Sequence, residues 1–426
     1  MLVFISGVFL LPLRATALRG RAGGASRDRT DDLKLAKLAL SQLSYGPERS
    51  QKVAVTMNHA LRQSRLDKLK ARVAVNAPVV GGVRVSVETT RPNLAPTLRL
   101  VGEMLRRPAL DSTEYEQLQR ETLAPVEAQR GEPTVLGQIA FNRQIARYPK
   151  GHPRYVPTID EQVEMVKATT IADVRAFHAD FYGATGGELV VVGDFDDAEI
   201  GRVATDLFGG WKSPKPFKPV PVTLTATDGG RQTVETPDKP NALFVAGQTF
   251  PMKDTDADYP ALLLANYILG EMPLDSRIPK RVRVAESLSY IAQSMLNVPS
   301  LDRTAQWIAV AISSPQNTAK VDAAFFDEIG KVLKEGLTAD EVEKSKAAFL
   351  QRRKLSRSND ATLAGQLSGA LFLGRTLKFD EEVERRVGAL TADQVNAVLR
   401  RTLDPAKMSV VLAGDFAKVQ QAGKPQ

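Results

Sequence analysis

The sequence predicts an α+β protein built from two homologous domains, each a mostly antiparallel sheet packed with helices. Three observations carry that expectation: one long internal repeat, a proline-rich break between its copies, and the same succession of helical and strand patterns on both sides of the break.

The repeat is clearest at Leu189-Val190-Val191-Val192-Gly193-Asp194-Phe195, which returns as Val410-Val411-Leu412-Ala413-Gly414-Asp415-Phe416, with the two glycines 221 residues apart. Upstream, Ile171-Ala172-Asp173-Val174 matches Ala392-Asp393-Gln394-Val395, the valines again 221 apart. Further upstream, Leu110-Asp111-Ser112-Thr113-Glu114-Tyr115-Glu116 matches Leu337-Thr338-Ala339-Asp340-Glu341-Val342-Glu343 at an offset of 227, a drift that loop insertions produce. A solenoid repeats every 20 to 50 residues or so, whereas one period of this length marks a duplicated domain. Between the copies, Ser213-Pro214-Lys215-Pro216-Phe217-Lys218-Pro219-Val220-Pro221 holds four prolines in nine residues, which no helix or central strand tolerates. The expected organisation is a signal-like segment over 1–32, a first domain over 33–212, a linker over 213–225 and a second domain over 226–426.

In the first copy, 70–75 and 83–87 alternate apolar and polar around Gly81-Gly82, the pattern of a hairpin. Amphipathic helices follow at 93–107, 112–130 and 134–148, Ser112 and Thr113 offering N-caps before acidic first-turn residues. Then come a helix at 170–182, a strand at 188–192 and a helix at 196–208. The second copy predicts strands at 242–248, 288–296, 305–312 and 408–412, and helices at 257–270, 316–335, 338–357 and 391–402.

A chain of 426 residues suits two domains of about 200 each. Cysteine is absent, which excludes disulfides, thiolate metal sites and cysteine nucleophiles. The net charge of +8 is spread along the chain without an aromatic-interleaved basic stripe, so nucleic acid is not an expected partner. Two basic clusters stand out: Arg277, Lys280, Arg281 and Arg283, then Arg352, Arg353, Lys354 and Arg357, the second reading as a solvated helix face. At the N-terminus, 2–13 is an apolar run of signal-peptide length, followed by a small-x-small site at Ala15-Thr16-Ala17. No basic residue precedes Arg14, and the run is too short to span a bilayer as a helix. These features predict a periplasmic or exported protein, or a cytoplasmic one if the start is mis-assigned, with 19–32 as a loose connector and no later membrane segment.

The search for catalytic sets returns absences. The only histidines are His59, His152 and His178, and the closest pair is 26 residues apart, so no helix face offers two of them around a carboxylate. No G-x-S-x-G elbow, S-x-x-K, phosphate loop or EF-hand spacing occurs, and the strand end at Val192-Gly193-Asp194 lacks the G-x-G-x-x-G of a dinucleotide site. Asp31-Asp32 reads as local charge rather than a glycosidase pair. Residue chemistry alone points to a binding protein.

Taken in order, Tyr148-Pro149-Lys150-Gly151-His152-Pro153, the stretch 169–182 and Leu189 through Asp196 resemble the second half of an insulinase/pitrilysin-type peptidase domain. In the second copy, 265–270, Asp275-Ser276-Arg277-Ile278, and Arg283 through Ser287-Leu288-Ser289-Tyr290 resemble that family's second domain, so the likeness covers 33–418. The resemblance implies metallohydrolase-like, ferredoxin-related domains forming half of a clamshell. Active members bind zinc through an inverted H-x-x-E-H helix. The matching segment here is 35–43, where Lys37-Leu38-Ala39-Leu40-Ser41 fills the motif: Lys37 and Ser41 stand for the histidines and Leu40 for the glutamate. The resemblance therefore implies no metal and no catalytic residue on this chain alone, with zinc in a homologous H-x-x-E-H-bearing partner subunit. The first sheet is expected to be shortened, because the signal-like segment stands where the family's first strands would be.

The same resemblance singles out Arg283 and Tyr290 as residues reaching in trans toward the partner's active site. A tyrosine hydroxyl there donates to the peptide carbonyl as it becomes negative, and a guanidinium holds the peptide backbone. Ser276 and Arg277 stand beside them as secondary candidates that cap and solvate the helix, and Ser287 replaces the family's glycine. Family members also take peptide as an added strand on a sheet edge. The expected function is a non-catalytic, peptide-binding subunit of a heterodimeric zinc metalloendopeptidase. The alternatives are a partnerless scaffold or peptide-binding protein with no role in proteolysis, and a detached half of a longer enzyme.

Overall fold

A computed structural model describes residues 2–7, 18–19, 59–76, 82–215, 219–272 and 275–422. The segment 35–43, with Lys37, Leu40 and Ser41, lies outside the described residues. Two five-stranded sheets organise the chain. The first contains β1 (Leu2–Gly7), β2 (Leu18–Arg19), β3 (Arg72–Asn76), β4 (Arg84–Glu88) and β5 (Gly187–Gly193), in the order β2-β5-β1-β4-β3. The second contains β6 (Arg231–Glu235), β7 (Ala242–Phe250), β8 (Ser289–Asn297), β9 (Ala305–Ser313) and β10 (Ser409–Gly414), in the order β6-β10-β7-β9-β8. Each sheet has one parallel pair, β2 with β5 and β6 with β10, and is otherwise antiparallel. The two sheets pair their strands alike, so the α+β duplication read from the sequence is present, but the first two strands are exchanged in chain order: the central β1 precedes the edge strand β2, whereas the edge strand β6 precedes the central β7.

The helices repeat as well. After a lone α1 (His59–Lys68), the first copy has α2 (Leu94–Arg106), α3 (Ser112–Ala128), α4 (Pro133–Ile145), α5 (Ile159–Ala168), α6 (Ile171–Phe181) and α7 (Asp197–Phe208). The second copy opens with α8 (Tyr259–Asn266) and a short α9 (Arg277–Pro279). It then runs through α10 (Thr318–Glu335), α11 (Ala339–Ser356), α12 (Asp360–Phe372), α13 (Lys378–Gly388), α14 (Ala392–Thr402) and α15 (Phe416–Ala422). The start signals are repeated too. Thr170 and Thr391, at the 221-residue offset, each accept an N3 amide while the N3 side chain of Asp173 or Gln394 returns the bond. Such capping boxes satisfy amides that a helix start leaves orphaned. Among the described residues no helix is long and apolar enough to cross a membrane.

One core lies between the first sheet and its own helices, built from Val85, Val87, Leu98, Met104, Leu189 and Phe208, and a larger one occupies the second domain around Phe244, Trp307 and Phe325. The opposite face of each sheet is covered by the other domain. Helix α4 of the first copy lies across β6, β7 and β10, where Phe141 and Ile145 meet Leu243, Val245, Val411 and Ala413. Its counterpart α12 crosses back onto β1 and β5, where Leu363, Ala364 and Leu367 meet Val190 and Val192. Two glycines make the first crossing close. A Cβ on Gly137 would sit 2.7 Å from the Leu243 side chain and 2.9 Å from Ala413, and one on Gly247 would sit 2.8 Å from the Phe141 ring.

The N-terminus departs from expectation. Leu2–Gly7 is a central strand, paired to β4 on one side and β5 on the other, so the first sheet is not shortened but has as many strands as the second. A short apolar run read as an export signal reads equally well as a central strand.

Phe141 is fully buried at the exchanged helix. Phe141→Ala is expected to lower stability by about 3–5 kcal/mol, the usual cost of emptying an aromatic core position, as measured by urea unfolding.

Candidate functional site

The residues singled out in sequence converge on one corner of the second domain, between α8 and the edge strand β8. Helix α8 runs into a π-helical turn at Tyr267–Glu271, and α9 runs into a second one at Lys280–Ala285. Turns of this kind widen the helix by one residue and re-aim its side chains. Arg283 lies on the second turn and is exposed. The chain then passes through Ser287 and enters β8, where a bulge between Ser289 and Ile291 turns Tyr290 outward. Tyr290 is 60% exposed. Among the described residues neither Arg283 nor Tyr290 has a polar side-chain partner, so both remain available to a ligand.

The connection is held by its backbone. Ser287 adopts φ 53°, a left-handed conformation that glycine takes freely and other residues take at a cost of about 1–2 kcal/mol. The turn that the family builds with glycine therefore survives the substitution in its geometry. The Leu288 amide donates to the Val282 carbonyl at 2.9 Å, closing the loop between the π-helical turn and β8.

Ser276 and Arg277 are placed otherwise than expected. Ser276 precedes α9, but its side chain caps no helix amide. It is buried, its hydroxyl donating to the Tyr267 carbonyl at 3.0 Å and accepting from the Met272 amide at 2.8 Å, which ties the start of α9 to the first π-helical turn. Arg277 is not solvated. Its guanidinium makes a two-pronged bond to Glu341 on α11, both arms 2.8 Å, and a third to Glu328 on α10 at 3.1 Å. Burial pushes the Glu341 carboxyl up, but the bonds from Arg277 and Thr338 outweigh it and leave it below the usual range. Bidentate pairing of this kind fixes orientation as well as charge. Beneath the site, Asn266 accepts from Ser294 at 2.8 Å and Trp307 at 3.0 Å and donates to Glu271 at 3.3 Å, so its buried amide is satisfied. These residues are the frame, and Arg283 and Tyr290 are what the frame presents.

The two basic clusters divide accordingly. In the first, Arg281 pairs with Glu286 and with Asp327, leaving Lys280 and Arg283 outward. The second is solvated only in part: Lys354 is exposed, but Arg353 and Arg357 bridge α11 to Glu384 and Asp380 on α13, and Arg352 reaches Glu271 at 2.7 Å.

The histidines are structural where described. His178 meets the Leu105 carbonyl at 2.8 Å, and burial lowers its pKa. His152 stacks on Tyr148 at 4.4 Å, and the Tyr148 hydroxyl accepts from the Thr223 amide, so this motif anchors the linker. Beside it, Glu161 accepts from the Thr158 amide, Tyr155, Arg143 and Lys150. Those bonds, the Thr158 amide foremost, hold the Glu161 carboxyl at about 2. Among the described residues no group of three or more His, Asp or Glu could hold a metal ion.

Residues 168–349 match the family model of the peptidase M16 inactive domain, a span that includes Arg283 and Tyr290. No curated protein matches the chain in sequence. Among solved structures, a peptidase M16 inactive domain from Pseudomonas fluorescens is 20% identical with a TM-score of 0.75, the match covering 89% of this chain and 92% of that one. A protease from Helicobacter pylori is 16% identical with a TM-score of 0.72, covering 86% of each chain. The periplasmic protease PqqL from Escherichia coli is 16% identical with a TM-score of 0.66, covering 82% of this chain and 38% of its own longer one. At these identities the structures establish the fold, and the matched domain bears out the insulinase-type resemblance in its inactive form. A match to an inactive domain fits a chain with no catalytic metal of its own.

Two variants test the local readings. Ser287→Gly is expected to raise the unfolding free energy by about 1 kcal/mol, and Ser287→Val to lower it by at least that, in denaturant titrations. For Glu161 the folded pKa lies below the ordinary 4.5, so its contribution is full above that value and is lost as pH falls from about 4.5 toward 2. Across that window, Glu161→Gln is expected to flatten the loss of stability seen in the parent, measured by urea unfolding at stepped pH.

Proposed function

Starting from a chain that carries the peptidase M16 inactive domain, we propose that this protein is the non-catalytic, peptide-binding subunit of an insulinase-type zinc endopeptidase. It would pair with a homologous subunit that bears H-x-x-E-H and holds the zinc. The observation that supports this best is the pair Arg283 and Tyr290, exposed and without polar partners among the described residues, on a corner braced by Ser276, Arg277 and Asn266.

The chemistry follows from the groups. When water attacks a peptide bond in the partner's site, the carbonyl oxygen becomes negative. The Tyr290 hydroxyl is a donor whose bond strengthens as that charge develops, and the Arg283 guanidinium offers planar donors to the backbone on either side. Zinc held by the partner would supply the activated water. This chain positions the peptide, and β8, an edge strand among the described residues, offers it main-chain hydrogen bonds as an added strand.

Location is proposed on the same footing: the N-terminal run favours export. A signal cleaved after Ala17 would remove β1 from the middle of the first sheet, so the mass of the protein recovered from the periplasm decides whether that strand stays.

The test mixes the purified chain with its nearest H-x-x-E-H homologue and follows cleavage of a fluorogenic peptide, with size-exclusion to confirm the heterodimer. Tyr290→Phe and Arg283→Ala are each expected to lower the rate about 100-fold, typical for loss of a transition-state donor, while the heterodimer still forms. An unchanged rate in both variants removes the role assigned to the pair.

A further inference from the structure

We infer that the outward face of β8, through Ile291 and Met295, selects extended peptides with apolar residues at alternating positions. The inference rests on the peptide-binding reading above and adds to it a substrate class.

Among the described residues strand β8 pairs with β9 alone, so its other edge has no partner strand there. Proteins ordinarily blunt such an edge with charge. Here the nine residues Ser289–Asn297 hold no charged side chain. Past the bulge the strand alternates, Ala292 and Ser294 facing the core, Ile291, Gln293 and Met295 facing out. Ile291 is 48% exposed and Met295 46%, high for an aliphatic and a thioether side chain. The register sets Ile291 beside Ile312, Gln293 beside Val310 and Met295 beside Ile308. An apolar strip therefore crosses two strands. It is continuous with the face under α4, because Ile308, Val310 and Ile312 are partly buried at that helix's margin.

The first domain serves as an internal comparison. Its equivalent strands, β3 and β4, turn Arg72, Asn76, Arg84 and Glu88 outward on the corresponding face, with Arg72 and Glu88 3.8 Å apart. Its edge is charged in the usual manner. Among the described residues only the second domain leaves an uncharged edge beside an apolar face, and that edge begins at Tyr290. An added strand there would place every other side chain on Ile291 and Met295, and the rest on the opposite side. Lysine or glutamate at the matched positions would have to shed water onto an apolar surface without a partner.

The experiment uses the full chain and two fluorescein-labelled nonapeptides of equal charge, one alternating Val with Thr and the other Gln with Thr. Fluorescence anisotropy is expected to show the Val peptide binding about tenfold tighter or better, as burial of a few aliphatic groups gives. The double variant Ile291→Thr/Met295→Thr keeps good strand formers at half-exposed positions, and is expected to bind both peptides equally with an unchanged thermal melt. Should that variant fail to fold, the comparison of the two peptides on the parent chain still decides. Equal binding by the parent overturns the inference and leaves peptide binding standing. Failure to bind either peptide removes the peptide-binding reading itself. A concentration-dependent dimer that the double variant dissolves and the Val peptide does not displace also overturns it, assigning the face to a second copy.

Discussion

Everything else in this structure depends on the reciprocal crossing of two helices. Each domain's sheet has its own core on one face, and the other face is closed by a helix borrowed from the opposite domain. Phe141 sits against Gly247 on one side, and Leu363 and Leu367 sit on Val190 and Val192 on the other. Burial of these apolar faces is the dominant favourable term in joining the halves. It also fixes where α4 stops, and so which part of the second sheet stays open near β8 and β9.

The candidate site is a second-level consequence of that frame. Arg283 and Tyr290 carry no packing of their own, so something else must hold the backbone that presents them. Two π-helical turns, the hydroxyl of Ser276 and the fork of Arg277 do so. Ser287 keeps a left-handed backbone there against its own preference, as tightly built surroundings allow.

The sequence made the duplication fully legible, because caps and turns are local: Thr170 and Thr391, Gly193 and Gly414 recur at one offset. The long amphipathic helices and four of the second domain's five strands were legible for the same reason, while the edge strand β6, Arg231–Glu235, was not read. Helix α12 was not, since Gly365 and Gly369 dilute its periodic pattern, and its partner strand β5 lies far back in the chain. Helix α5 carries a readable start in Thr158 and Glu161, which apolar periodicity alone does not mark. Strand β1 was obscured by composition, as an apolar run of its length serves a signal and a central strand alike. At the site, the exposure of Arg283 and Tyr290 was expected from the resemblance, while the burial of Ser276 follows from its bonds to Tyr267 and Met272, and the ion pairs of Arg277 from contacts with α10 and α11 that no local pattern encodes.

The traded helices also say something about how such a chain could arise. A single copy standing alone would show water a bare sheet face, Leu243, Val245, Val411 and Ala413 in one case, Val190 and Val192 in the other. It could hide that face only by meeting a second copy and exchanging helices with it, the self-complementary bargain of a two-fold dimer. The proline-rich connector turns that encounter between molecules into an event within one. After fusion the copies are free to diverge at their edges, as β3 and β8 have, while the swapped helices keep them matched.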